Sequence, residues 1–325
     1  AITPETAGIV IELVQGEGGI RPVDSDYLKA LRQITDEFGL LLMYDEVQTG
    51  IGRTGTLYAY EHSGVAPDIL ASAKGLGGGF PVGACLAKEA PAASMTAGSH
   101  GSTFGGNPLA MAVGNAVLDV LLKDDFLDGV SSVSAYLKDQ LQALAKRHDT
   151  ILCGVRGLGL MLGLQCRNEG QNGDLVSAVM EEGLLTVPAG DNVVRLVPPL
   201  IIRNSEVDEA VSKTVDQGNM STFNCPEEVY LAERLIDLHP WADMARFART
   251  GGEANTIAVR IARAAAGKGK VAICGYHGWH DWYLSANLNS KTEKNLEEHL
   301  LKGLKIQGVP KKLKRTVFPF KYGNL

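Results

Sequence analysis

Two apolar runs in this chain end on residues that can do chemistry. The run LLLMYDE carries Asp45 at its end, and DILASAK ends on Lys74, which glycines follow at once in KGLGGG. In open α/β sheets, ligands bind outside the carboxyl ends of the strands. A carboxylate placed there meets a cationic ligand. An amine placed there is partly desolvated, which lowers its pKa toward the range where it is nucleophilic. Such a lysine suits Schiff-base chemistry. Singly, Asp45 reads equally well as a helix N-cap or a surface acid, and Lys74 as an exposed lysine; the combination overturns both readings.

The elements that must position this pair alternate in type. GIVIELV is followed by a helical stretch, SDYLKALRQITDEFG, then by LLLMYDE and DILASAK. Strands alternating with helices predict an α/β fold with a mostly parallel sheet. From TFGGNPLAMAVGNAVLDVLL the pattern turns helical, and SSVSAYLKDQLQALAKRH continues it at helical spacing. ILCGVRGLGLMLGLQC reads as a hairpin and DLVSAVMEEG as a further helix. Three segments are expected: 1–125, half of a large domain; 126–217, a smaller α+β domain; and 218–325, where the composition changes. All three tryptophans (Trp241, Trp279, Trp282) lie in the last segment, and residues 291–325 hold nine basic residues against three acids. That basic stretch lacks the aromatic interleaving of a nucleic-acid platform and reads as a solvated face.

Bulk properties exclude several classes. The chain has 325 residues, 45% hydrophobic and 21% charged, with a formal net charge of -6, which fits neither disorder nor most nucleic-acid binders. Small molecules are the expected partners. Five scattered cysteines with no C-x-x-C pair indicate neither a disulfide framework nor a zinc site, and no metal is expected. No apolar run reaches the roughly 18 residues that would span a bilayer, and the opening residues lack a basic n-region. A soluble, cytoplasmic protein is expected. GVRGLGLMLG raises a dinucleotide-binding alternative, but Gly157, Gly159 and Gly163 do not fit G-x-G-x-x-G and a strand follows them.

Across residues 1–217 the segments IELVQGEGG, LLMYDEVQTGIGRTG, PDILASAKGLGGGFPVGA and HGSTFGGNPLA resemble successive signatures of the class III aminotransferases, most like the acetylornithine aminotransferase branch. The resemblance implies the type I fold of pyridoxal-phosphate (PLP) dependent transferases. It implies PLP as cofactor, held covalently by Lys74, and Asp45 at the pyridinium nitrogen. By the same resemblance Val47 and Gln48 pack on and contact the ring, and Thr103 reaches the phosphate of a neighbouring subunit, hence a homodimer. Glu17 in QGEGG and Arg195 in VVRLVPPL match a pair that unlocks so that one pocket takes both an ω-amino donor and 2-oxoglutarate. The implied activity is transamination of an ω- or α-amino acid to a 2-oxo acid such as 2-oxoglutarate.

Residues 218–325 resemble another part of the same superfamily, in the style of glutamate-1-semialdehyde aminomutase relatives. RFARTGGEANTIAVRIARAA and VAICGYHGWHDWYL carry this likeness. TGGEAN opens a helix whose free N–H groups suit a phosphate, with Gly251 and Gly252 allowing close approach; alone it would be a plain helix start. Tyr276 matches the aromatic that stacks on the cofactor ring. Trp279 stands where the related enzymes carry an arginine for the substrate carboxylate, which implies poor acetylornithine activity. This half ordinarily precedes the DEVQ half, so the order looks permuted or chimeric, and a region that helps line the active site is not found ahead of TGGEAN. An aminomutase-like enzyme and a catalytically silent relative are the alternatives. Residues 218–325 are expected to add strands to the large sheet and to bring Gly251, Gly252 and Tyr276 around Asp45 and Lys74.

Overall fold

A computed structural model describes residues 2–96, 101–181, 183–213, 226–238, 244–245, 247–248, 251–273, 277–289 and 306–320. The elements run in the order β1 (Gly8–Glu12), β2 (Val14–Gln15), β3 (Arg21–Pro22), α1 (Ser25–Phe38), β4 (Leu41–Asp45), β5 (Ile69–Ser72), β6 (Ala84–Ala87) and α2 (Glu89–Ala92). Helices α3 (Pro108–Leu121) and α4 (Phe126–Arg147) follow, then β7 (Leu152–Leu158), β8 (Met161–Cys166), α5 (Gln171–Glu181), β9 (Val187–Ala189), β10 (Val193–Leu196) and α6 (Asn204–Lys213). The last are α7 (Pro226–Leu238), α8 (Gly251–Ala266), β11 (Val271–Ile273), α9 (Asp281–Leu284) and β12 (Val317–Pro319).

The chain divides into two compact units, one of residues 1–88 and 108–223, the other of 89–107 and 224–325. In the first unit β1, β4 and β5 are parallel neighbours and β6 joins β5 antiparallel, giving a four-stranded sheet ordered β1-β4-β5-β6. Helix α1 starts where the Asp24 carboxylate accepts the amides of Asp26 and Tyr27, at 2.8 and 3.3 Å, satisfying donors that the first turn leaves free. It ends at Gly39 in a left-handed conformation. Its buried Leu28, Leu31 and Thr35 recur at helical spacing, and Leu28 and Leu31 join Leu42 and Tyr44, the alternate residues of β4, in one core cluster.

The second sheet of this unit is antiparallel and ordered β7-β8-β10-β9. The hairpin read from ILCGVRGLGLMLGLQC is β7–β8, and α4 lays Val130, Val133, Leu137, Leu141 and Leu144 on it in the largest core cluster. Residues 126–217 fall in the same compact unit as residues 1–88. Backbone hydrogen bonds tie the two together: Leu160 N donates to Arg53 O at 2.9 Å, and Gly190 N to Glu17 O at 2.8 Å.

In the second unit β11 and β12 pair in parallel with each other and make a ladder of their own. Both strands are three residues long, and Ile273 and Val317 bury with Trp282, Tyr283, Leu284 and Val309 in a local cluster. No helix among the described residues is long and apolar enough to cross a membrane.

Candidate active site

Asp45 closes β4 and sits in register with Glu12 of β1 and Ala71 of β5. Its Oδ1 accepts the Val47 amide at 3.1 Å, which fixes the half-buried carboxylate at the strand end. The next residue, Glu46, is fully buried and turns the other way. Its carboxylate accepts Thr49 Oγ1 at 2.7 Å and the amides of Ala59 and Tyr60 at 2.8 and 2.9 Å. Burial pushes the Glu46 pKa up against these hydrogen bonds. Glu46 thus organises the turn after β4, a role that its place in DEVQ does not announce.

Lys74 follows β5 and begins a short 3-10 turn, Lys74–Gly77. Its backbone is left-handed, with φ of 46°. For an L-residue other than glycine that conformation costs roughly 1–2 kcal/mol, and such strain concentrates at functional sites. Lys74 keeps surface open to solvent, yet the protein around it lowers its pKa. Burial is the largest cause and the Arg195 charge the next, while Glu17, Asp45 and Glu12 pull the other way. The strand-end lysine therefore belongs to one electrostatic cluster with Asp45, Glu12, Glu17 and Arg195.

Arg195 projects from β10, in register with Gly163 of β8 and Val187 of β9, and is 3% exposed. Its Nη1 donates to Glu17 Oε1 at 2.7 Å and to Gln48 Oε1 at 3.2 Å. The Arg195 hydrogen bond holds the Glu17 carboxyl below the usual range, with burial opposing and the charges of Arg195 and Lys74 adding to the effect. Gly16 makes room for this arrangement: a Cβ on it would lie 2.4 Å from Gln48 Oε1. Arg195 Nε is buried and has no hydrogen-bond partner among the described residues. A buried unpaired donor is costly, and here it belongs to a side chain shaped to grip a carboxylate.

Of the residues singled out in the sequence, Asp45, Val47, Gln48, Lys74, Glu17 and Arg195 all lie in the first unit. Thr103 is exposed in the 89–107 segment of the second. Gly251 and Gly252 open α8 as expected. Residues 277–280 pack on this helix start. A Cβ on Gly278, whose φ is 104°, would come within 3.0 Å of the Gly252 Cα. Thr256 Oγ1 meets His280 Nδ1 at 2.6 Å and accepts Trp282 Nε1 at 2.8 Å. Trp279 stacks edge-on to His280 with ring centroids 5.0 Å apart. Tyr276 lies outside the described residues. Sequence reasoning passed over Glu46, Gly16, Glu12 and Arg53. Only Glu46 left a signal, as the residue of opposite facing next to Asp45.

A lysine and a carboxylate at the carboxyl ends of neighbouring parallel strands, in a sheet with one antiparallel edge strand, fit fold type I of the PLP-dependent transferases. Residues 1–217 match the family described as aminotransferase class-III, and the chain belongs to that family. It is 60% identical over 213 residues to acetylornithine aminotransferase of Mesorhizobium japonicum, covering 66% of this chain and 53% of that one. The chain spans about half the length of the curated relatives it matches. Among solved structures, N-acetylornithine aminotransferase from Stenotrophomonas maltophilia superposes with a TM-score of 0.58 at 40% identity, over 64% of this chain and 55% of that one. An ornithine aminotransferase from Toxoplasma gondii, described with partial occupancy of PLP at its active site, gives a TM-score of 0.60 at 34% identity, over 64% and 50%.

Proposed function

We propose that the chain carries out PLP-dependent transamination, moving the amino group of an acetylornithine-like ω- or α-amino acid to a 2-oxo acid such as 2-oxoglutarate. The observation that carries the reading is Lys74, a strained strand-end lysine of lowered pKa clustered with Asp45, Glu17 and Arg195. The donor set fits the cofactor: Lys74 Nζ is the amine that would hold it, and Asp45, fixed by the Val47 amide, is the carboxylate that would meet its ring nitrogen. When bound, PLP supplies an electron sink for the electrons of the C–H bond at the substrate's amine-bearing carbon. Asp45 would keep a proton on the ring nitrogen through a charge-assisted hydrogen bond, a contribution of about 1.5–3 kcal/mol. Lys74 Nζ moves the proton at the substrate carbon that bears the amine, as general base and acid.

Arg195 grips a carboxylate of the 2-oxo acid when Glu17 swings aside, and Glu17 masks it when an amine donor binds. Glu17 is the partner free to move, since its side chain is 76% exposed. Gly251, Gly252, Tyr276, Trp279 and Thr103, the homodimer and the aminomutase-like second piece enter this reading only through the resemblance of their segments. Borohydride reduction tests the assignment. Protein incubated with PLP should turn yellow, bleach on reduction and carry the label on the peptide containing Lys74. Protein that stays colourless and unlabelled would refute it.

A further inference from the structure

We infer that Arg53 is a positioning residue whose guanidinium closes the open end of the β8–β10 ladder and so holds Arg195 in place. Strand β10 ends at Leu196, which pairs with Leu162, one step beyond the Arg195 and Gly163 pair. Continuing that register sets residue 198 opposite residue 160, where the ladder's own hydrogen bonds have stopped. Arg53 Nη1 donates to both carbonyls there, to Leu160 O at 3.2 Å and to Pro198 O. One cation thus bridges the two segments three residues from Arg195. Both bonds leave the same terminal nitrogen, which carries two N–H groups, one for each carbonyl.

Nothing else visible accounts for the charge. Burial alone lowers the Arg53 pKa, to about 10, with no charged neighbour contributing among the described residues. It stays cationic at neutral pH, satisfied by backbone carbonyls, and a half-buried cation without a paired carboxylate is a costly way to fill space. The same loop also touches the lysine turn. A Cβ on Gly75, next to Lys74, would lie 3.1 Å from Ile51 Cβ. The loop from Ile51 to Thr54 therefore sets the Arg195 ladder against the Lys74 turn, and Arg53 is its grip on the ladder.

The test compares Arg53→Met and Arg53→Lys with the unsubstituted full chain by hydrogen exchange and mass spectrometry. Segments 160–166 and 193–198 report the ladder, and 41–45 with 69–72 serve as the internal reference. In Arg53→Met the ladder segments should exchange at least about tenfold faster while the reference is unchanged. Arg53→Lys, which keeps the cation on a shorter stem, should fall between, and it carries the comparison alone should the Met variant not fold. Kinetically, and resting on the proposed transamination, KM for 2-oxoglutarate should rise about tenfold in Arg53→Met with kcat within about twofold, and Arg53→Lys should recover part of the loss. Ladder exchange unchanged in either variant overturns the inference, as does an equal rise in the reference segments. A chain inactive before substitution would refute the proposed function and leave the exchange result standing.

Discussion

Arg195 and Glu17 are joined at 2.7 Å although one side chain is 3% exposed and the other 76%. The pair is asymmetric by construction. Arg195 is held in a strand between two partners, whereas Glu17 sits in the open turn between β2 and β3. Opening the pair moves the carboxylate into water and leaves the guanidinium in place, ready for another carboxylate.

Glu17→Gln should therefore weaken the mask without loosening Arg195. The half-reaction with 2-oxoglutarate should show a KM several-fold lower, about threefold or more, while the amine-donor half-reaction loses selectivity against dicarboxylates. Stopped-flow spectra of each half-reaction separate the two effects. Identical KM values for the 2-oxo acid in both proteins would remove Glu17 from the gate.

Lys74 gives a prediction in which chemistry and backbone strain separate. Lys74→Ala and Lys74→Gly should both abolish the borohydride-trapped label and turnover. The glycine variant should be more stable than the alanine variant by about 1 kcal/mol, because only glycine adopts the left-handed backbone without a Cβ clash. Denaturant unfolding of the pair measures it. Equal stabilities would mean the turn relaxes once the lysine is gone.

Gly16→Ala should fold but displace Gln48. The clash is with the end of a flexible side chain, at 2.4 Å from Oε1 and 2.8 Å from Cδ, so stability should change by less than about 1 kcal/mol. Arg195 then keeps only Glu17, and KM for 2-oxoglutarate should shift while the thermal midpoint hardly moves. A large loss of stability with unchanged KM would show that the backbone, not Gln48, yields.

The acid limb of stability should depend on Asp68. Burial raises its pKa, but Lys88, the Leu42 amide and Arg32 outweigh burial and bring it from 3.8 to about 2. Asp68 Oδ1 accepts Lys88 Nζ at 2.7 Å, and Oδ2 accepts Arg32 Nη1 and Leu42 N, each at 2.8 Å. A carboxylate with a depressed folded pKa stabilises fully above its unfolded value and loses that contribution as pH falls through the folded one. The contribution, about 2 kcal/mol at neutral pH, should disappear between about pH 4 and pH 2. Asp68→Asn should cost about that amount at pH 7 and flatten the limb; urea midpoints against pH decide it.

Local pattern made much of this protein legible in the sequence. Apolar runs bounded by turn residues located β1, β4 and β5, helical spacing located α1, α3, α4 and α5, and the glycine-broken run located the β7–β8 hairpin. These depend on residues within a few positions of one another, so their order in the chain suffices. Asp45 and Lys74 stood out because each ends an apolar strand. The pairing of Glu17 with Arg195 came through resemblance, since 178 residues separate them and no spacing rule spans that distance. What the sequence could not decide was which groups lose water together. Glu46 looks like any acid beside Asp45 until the turn folds over it, Arg53 like any loop arginine until two distant carbonyls converge on it, and the Arg195 charge that adds to the desolvation of Lys74 comes from a strand far along the chain. Burial and electrostatic coupling depend on chain segments brought together from far apart, and only the tertiary structure sets them.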